Sequence, residues 1–217
     1  MKAPQRAYGR IAAPAAGLPV GVVWSLLALC PTIPLQGQVV IHTAVAARYT
    51  STLVHDSIVA PLDVRADIAP SLTAGAELPL TGPWWLDLLV DVSTSPVRRH
   101  LADGSSAPIT RLWMLEIGIG LRRQLEPWLT GRLAVGALKY LPASSIGLFR
   151  DGVSITPYGA LAFDIAPPHG APRGLALEVA GDVHRFLTPA LRNDGFVDPR
   201  LVYRLSAGVR VDLWRAR

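Results

Sequence analysis

Charged and small polar residues recur at every second position between apolar ones, and this alternation returns again and again along residues 38 to 217. A period of two puts the two sets on opposite faces of an extended strand, whereas a helix of period 3.6 would mix them. In VRADIAPSLTAGAELP, Val64, Ala66, Ile68, Leu72, Ala74, Ala76 and Leu78 share one face, and Arg65, Asp67, Ser71, Thr73, Gly75 and Glu77 share the other. In WWLDLLVDVST, Trp84, Leu86, Leu88, Val90 and Val92 oppose Asp87, Asp91 and Ser93. In RLWMLEIGIGLRR, Trp113, Leu115, Ile117, Ile119 and Leu121 oppose Glu116, Gly118, Gly120 and Arg122, and LTGRLAVGAL sets Leu129, Leu133 and Val135 against Thr130 and Arg132. GVSITPYGALAFDI, GLALEVAGDVHRF and RLVYRLSAGVRVDL repeat the arrangement, the last with Arg204, Ser206, Gly208, Arg210 and Asp212 on its polar face. With VVIHTAVAARYT the segments number eight.

Periodicity alone does not separate a soluble sandwich from a membrane barrel. Three features favour the membrane. The segments run about 10 to 14 residues, longer than the usual 5 or 6 of soluble sheets and enough to cross a bilayer tilted. Their connections alternate between long (51–63, 95–109, 141–152, 188–199) and short (PLTGP, QLEP, APPHGAPR), as outer-membrane barrels do. Aromatic residues gather near strand ends, with Trp84, Trp128, Phe163 and Trp214 toward the short turns and Tyr49, Trp113, Tyr140 and Tyr203 toward the long loops, where membrane interfaces place them. The expected fold is all-β: an eight-stranded antiparallel up-and-down transmembrane β-barrel spanning 38–217. Pro70 and Pro157 fall inside strands and each removes a ladder donor, so bulges or local strand ends are expected there.

Residues 1–37 have a different character. A basic start (Lys2, Arg6, Arg10), the apolar run GLPVGVVWSLLALC and the polar exit PLQGQ form a secretory signal, with cleavage expected after Gly37. The run is short of the roughly 20 residues of a spanning helix and is followed by Pro31 and Pro34. Cys30, the only cysteine, lies inside it. The large Leu29 before it departs from a lipid-attachment box, and the mature chain has no disulfide. The charge of +5 is also concentrated there. Of 21 Lys+Arg, three precede Gly37, leaving 18 against 16 Asp+Glu, a near-neutral balance that argues against nucleic-acid binding.

The last strand, Ser206-Ala207-Gly208-Val209-Arg210-Val211-Asp212-Leu213-Trp214, has a glycine followed by alternating apolar residues and an aromatic. Here residues 38–217 resemble the small eight-stranded bacterial outer-membrane barrels, the OmpA/OmpX-like transmembrane domains. The resemblance implies an outer-membrane location with both termini in the periplasm and an assembly signal read by the outer-membrane assembly machinery. Trp214 follows Leu213 instead of replacing it, and Arg215-Ala216-Arg217 runs past the aromatic.

An eight-stranded lumen is just wide enough for side chains to fill it. The polar face therefore predicts a buried charge network: Arg65, Asp67, Glu77, Asp87, Asp91, Glu116, Arg122, Arg132, Asp164, Glu178, Asp182, Arg204, Arg210 and Asp212. Buried charges persist when partnered, so the expected role is structural closure of the lumen, with a narrow solute pathway as the alternative. His42, His55, His100, His169 and His184 lack the paired spacing of metal motifs, so neither metal nor cofactor is expected. His55-Asp56-Ser57 in the first long loop raises a lipid-acyl hydrolase or transferase reading, but sequence adjacency is not catalytic geometry. Gly118 and Gly120 lack the rest of a phosphate loop and are expected to make room inside the barrel. Arg98, Arg99 and His100 form the densest exposed basic cluster, with Arg98 and Arg99 candidate contacts for lipopolysaccharide. The expected role is non-enzymatic: envelope integrity or surface interaction through four external loops, with outer-membrane lipid as the surroundings.

Overall fold

The computed structural model describes residues 39–56, 62–167 and 174–215. The signal segment 1–37, Ser57 and His169 lie outside the described residues. Ten strands are present among them: β1 (Val40–Thr50), β2 (Val54–Asp56), β3 (Leu62–Ala66), β4 (Ala69–Pro79), β5 (Trp84–Leu101), β6 (Ser106–Glu126), β7 (Leu129–Pro142), β8 (Thr156–Ile165), β9 (Leu175–Phe186) and β10 (Arg200–Arg215). Eight of them, β1 and β4 to β10, close a ring in the order β4-β5-β6-β7-β8-β9-β10-β1, every pairing antiparallel. The closing pair is β1 with β10, from Val40↔Arg215 to Thr50↔Arg204. Closure leaves the ring without an open edge.

Charge and apolar surface are distributed inside out. Val45, Leu133 and Val135 are 60%, 66% and 62% exposed on the outer wall, while Arg204 and Asp87 are wholly buried within. The exposed apolar side chains continue around the ring through Leu72, Ile117, Ile119, Leu161, Val183 and Leu205. A contiguous apolar wall of this size is unfavourable in water and matches hydrocarbon. Among the described residues no helix is long and apolar enough to cross a membrane; the strands cross it. Trp84, Trp128 and Trp214 are exposed at the short-turn end, and Tyr49 and Tyr203, ring centroids 6.4 Å apart, at the other. Tyr140 is a correction: it points inward and is 1% exposed, so it is no part of an aromatic girdle.

A second correction concerns 64–79, expected as one strand. Ala66 pairs with Val97, but Ser71 pairs with Ser93, so one extra residue sits on this side of the ladder, next to Pro70. Such a bulge flips the faces on either side of it. Val64 and Ala66 are therefore buried inside, and Arg65 and Asp67 turn outward. Pro157 is the second residue of β8. Residues 95–109, expected as a loop, are mostly ladder: β5 and β6 pair from Val97↔Thr110 out to His100↔Ser106, leaving a tight turn with Gly104 at φ 82°. Strands of 18 and 21 residues exceed the 9 to 11 or so needed to span, so the far end of this hairpin stands beyond the bilayer, where β3 pairs onto its β5 edge and β2 onto β3.

The interior has two layers. At the long-connection end lies an apolar core that includes Leu53, Val64, Val97, Leu112, Met114, Leu138, Phe186 and Val202. A 3-10 turn at Gly147–Phe149 places Phe149 into it, and the short helix α1 (Pro189–Asn193) adds Leu191. Thr188 caps this helix by accepting from the Leu191 N–H at 3.2 Å, with Pro189 opening the first turn. Toward the short turns the same inward face becomes charged.

Candidate functional site

Neighbouring strands place like charges side by side in the charged layer. Glu77 stands opposite Asp87, Asp91 opposite Glu116, Asp164 opposite Glu178, and Arg122 opposite Arg132. Directly opposed like charges destabilise a sheet, so compensation must come from elsewhere, and it comes across the lumen. Arg48 on β1 reaches Asp91 on β5 at 2.5 Å and Glu116 on β6 at 2.6 Å. Arg122 on β6 bonds Glu77 on β4 and reaches Asp164 on β8 at 2.7 Å. Arg132 on β7 holds Asp87 on β5 at 2.9 Å and Glu178 on β9 at 3.4 Å. Arg210 on β10 bonds Glu77 on β4 and reaches Asp164 on β8 at 3.2 Å and Asp212 at 3.1 Å. Arg204, also on β10, takes Glu116 at 2.8 Å from the far side of the ring and Asp182 at 2.7 Å from its neighbour β9.

All five of these arginines thus contact a carboxylate on a strand beyond their hydrogen-bonded neighbours. Strands two apart are separated by about 9.5 Å in a flat sheet, a span that inward curvature shortens. These ion pairs therefore depend on closure of the barrel, and reward it.

The polar contacts extend at both ends. Thr73 donates to Asp91 at 2.6 Å. Asp182 lies 3.5 Å from His184, whose other ring nitrogen is 2.6 Å from the Tyr140 hydroxyl. Gly118 and Gly136 face each other across β6 and β7, and the Tyr158 ring lies over them. A Cβ on Gly118 would sit 2.4 Å from the Tyr158 hydroxyl, and one on Gly136 would sit 2.7 Å from its ring. These glycines make space for an inward aromatic. Gly120 instead faces Ala134 and Arg132.

Of the sequence-derived set, twelve residues face this interior: Glu77, Asp87, Asp91, Glu116, Arg122, Arg132, Asp164, Glu178, Asp182, Arg204, Arg210 and Asp212. Arg65 and Asp67 are corrections. The bulge turns both outward, where Arg65 bonds Asp63 and Asp67 accepts from Arg98 at 3.1 Å with both side chains about 40% exposed. His42 and Arg48 belong inside and were missed, although Val45 and Tyr49 in the same strand define the outward phase and leave both on the inner one.

Outside the membrane-spanning part, His55 on β2 is 2.7 Å from Asp63. Hydrogen bonds from His55 and then Arg65 hold the Asp63 carboxyl below the ordinary carboxylate range. Ser57, the serine of the lipid-acyl hydrolase or transferase reading, lies outside the described residues. Arg99 is exposed and lines an apolar cleft of about 480 Å³ with Val64, Ile109, Leu148, Leu191 and Phe196.

No family model matches the chain, and no curated protein matches it. Among solved structures it is similar to the outer membrane protein OprG from Pseudomonas aeruginosa, at 14% identity and a TM-score of 0.47, covering 81% of this chain and 95% of that one. It is similar to Neisserial surface protein A at 15% identity and a TM-score of 0.43, covering 82% and 100%. The outer membrane protein Ail of Yersinia pestis matches at 12% identity and a TM-score of 0.41, covering 78% and 98%.

Proposed function

We propose that the protein is a non-enzymatic barrel of the bacterial outer membrane with a plugged lumen, serving envelope integrity or surface interaction through its long connections. The carrying observation is the interior itself. The cross-lumen arginine network and the apolar core above it occupy the bore, and between Arg48, Asp91, Glu116, Arg132 and Tyr158 there remains a cavity of about 40 Å³, roughly the room of one water. A pore would need a continuous wet path past Arg204 and Glu116, which are 0% and 3% exposed. Planar-bilayer recording of the purified protein is therefore expected to show no steady conductance. Reproducible open-channel currents would overturn the plug.

In this reading the short turns and both chain termini face the periplasm and the long connections face outward. Arg98 and Arg99, on the part of β5 beyond the bilayer, then stand at the height of lipopolysaccharide phosphates. The β10 strand, with Leu213 and Trp214 close to its end at Arg215, presents the alternating segment that the assembly machinery reads. Export removes residues 1–37, and the intact mass of envelope-purified protein is expected to begin at Gln38. A mass retaining Met1, or a lipid on Cys30, would contradict this.

A further inference from the structure

Cross-strand geometry at the short-turn end of the lumen brings together three side chains that no sequence motif connects. His42 on β1, Glu77 on β4 and Asp87 on β5 lie on three adjacent strands, and one ligand atom from each falls within 4.8 Å of the other two. His42 is 1% exposed, yet neither ring nitrogen has a hydrogen-bond partner among the described residues, and neither does Asp87 Oδ1. Buried polar atoms left in this state call for an explanation. His42 Nε2 is 3.8 Å from Asp87 Oδ1, and Nδ1 is 3.8 Å from Glu77 Oε1. These gaps are too long for hydrogen bonds. One ion takes a single ring nitrogen, and the gap from Nε2 to Asp87 Oδ1 lies within the roughly 4.2 Å that two ligand atoms each about 2.1 Å from a metal can span. Glu77 completes the cluster, one ligand atom of each residue lying within 4.8 Å of the others.

We propose that His42, Glu77 and Asp87 bind one divalent transition-metal ion inside the barrel, with water completing the coordination. Several further observations fit. Arg132 takes Asp87 Oδ2 and leaves Oδ1 to the ion. The strand opposite His42 carries Gly75, where a Cβ would come within 2.5 Å of the imidazole; glycine there is what lets the ring lie in this position. Among the described residues the interior holds eight carboxylates against five arginines, so a dication relieves a deficit. Most of it lies in the layer nearer the short turns, where Glu77, Asp87, Asp164, Glu178 and Asp212 share Arg122, Arg132 and Arg210. A polar cleft of about 200 Å³ at the short-turn mouth, lined by Glu77, Arg122, Arg210 and Asp212, supplies an entry path. An imidazole with two carboxylates suits Zn²⁺ and its first-row neighbours, whereas Ca²⁺ and Mg²⁺ take oxygen-only sites. The site rests on the barrel geometry alone and is independent of what the external loops do.

The test uses full mature protein purified from membranes, labelled at histidine ring nitrogens, with Zn²⁺ as the probe. One Zn²⁺ per barrel is expected, resistant to excess Ca²⁺ and Mg²⁺, with the His42 ring signals shifted and those of His184 unmoved. His42→Gln is expected to weaken this binding by at least about tenfold while the unboiled protein still migrates as a folded barrel. Folded wild-type protein that binds no Zn²⁺, or binds it without moving the His42 signals, would overturn the site. So would a folded His42→Gln variant of unchanged affinity. Should that variant fail to fold, the wild-type ring signals decide by themselves.

Discussion

Arg204→Ala is expected to lower barrel stability by about 3 to 5 kcal/mol in urea unfolding from lipid vesicles, the usual cost of removing one partner from a buried charge network. The guanidinium is completely buried, with Nη1 on Glu116 at 2.8 Å and Nε and Nη2 on Asp182 at 2.8 and 2.7 Å. Without it, Asp182 keeps only His184 at 3.5 Å as a nearby base, and Glu116 keeps Arg48 alone. Both carboxylates stay dehydrated because the apolar core lies directly above. Arg98→Ala provides the contrast. Its contact with Asp67 is between side chains 42% and 40% exposed, and water replaces such a pair at a cost of about 0 to 1 kcal/mol. Equal unfolding midpoints for the two variants would refute the internal network.

Val135→Arg probes the outer wall in the same assay. Val135 is 62% exposed near the middle of β7, between Ile119 and Gly159 on the flanking strands. An arginine there meets hydrocarbon and is expected to cost about 2 to 4 kcal/mol, falling to about 0 to 1 kcal/mol for the same change at Leu141 near the strand end. The chain already shows this depth rule. Lys139 is exposed on the same face only three residues before the end of β7, where a long side chain can reach the interface. A Val135→Arg variant as stable as Leu141→Arg would mean that the wall does not face lipid.

The strand faces are legible in the sequence wherever a charge marks the inner side, as Asp87 and Asp91 do for β5 and Arg132 does for β7. They blur in β1, where Ala44 and Ala46 point inward and Ala47 outward; small residues on both faces conceal the phase that buries His42 and Arg48. The bulge before Pro70 is invisible to periodicity because Val64, Ala66 and Ile68 continue the right alternation on the wrong side of it. Pro96, Pro108 and the Asp103-Gly104 turn made 95–109 resemble a loop, although Ser95 and Val97 keep the inward phase of β5. Alternation also identifies an inner face without saying what it meets. Leu112, Met114 and Leu138 share that face with Glu116 and Arg132, and only the closed ring sorts them into an apolar layer above a charged one. The pairing of arginines with carboxylates on distant strands follows from closure, which no local pattern encodes.

Fractionation of expressing cells, followed by electrophoresis of the same protein before and after boiling, tests the transmembrane barrel most directly. Closure removes every edge of the ring and satisfies its backbone internally, so the protein should pellet with outer membranes and shift in mobility only when boiled. Recovery as a soluble monomer with one mobility under both conditions would contradict the fold's placement in a membrane.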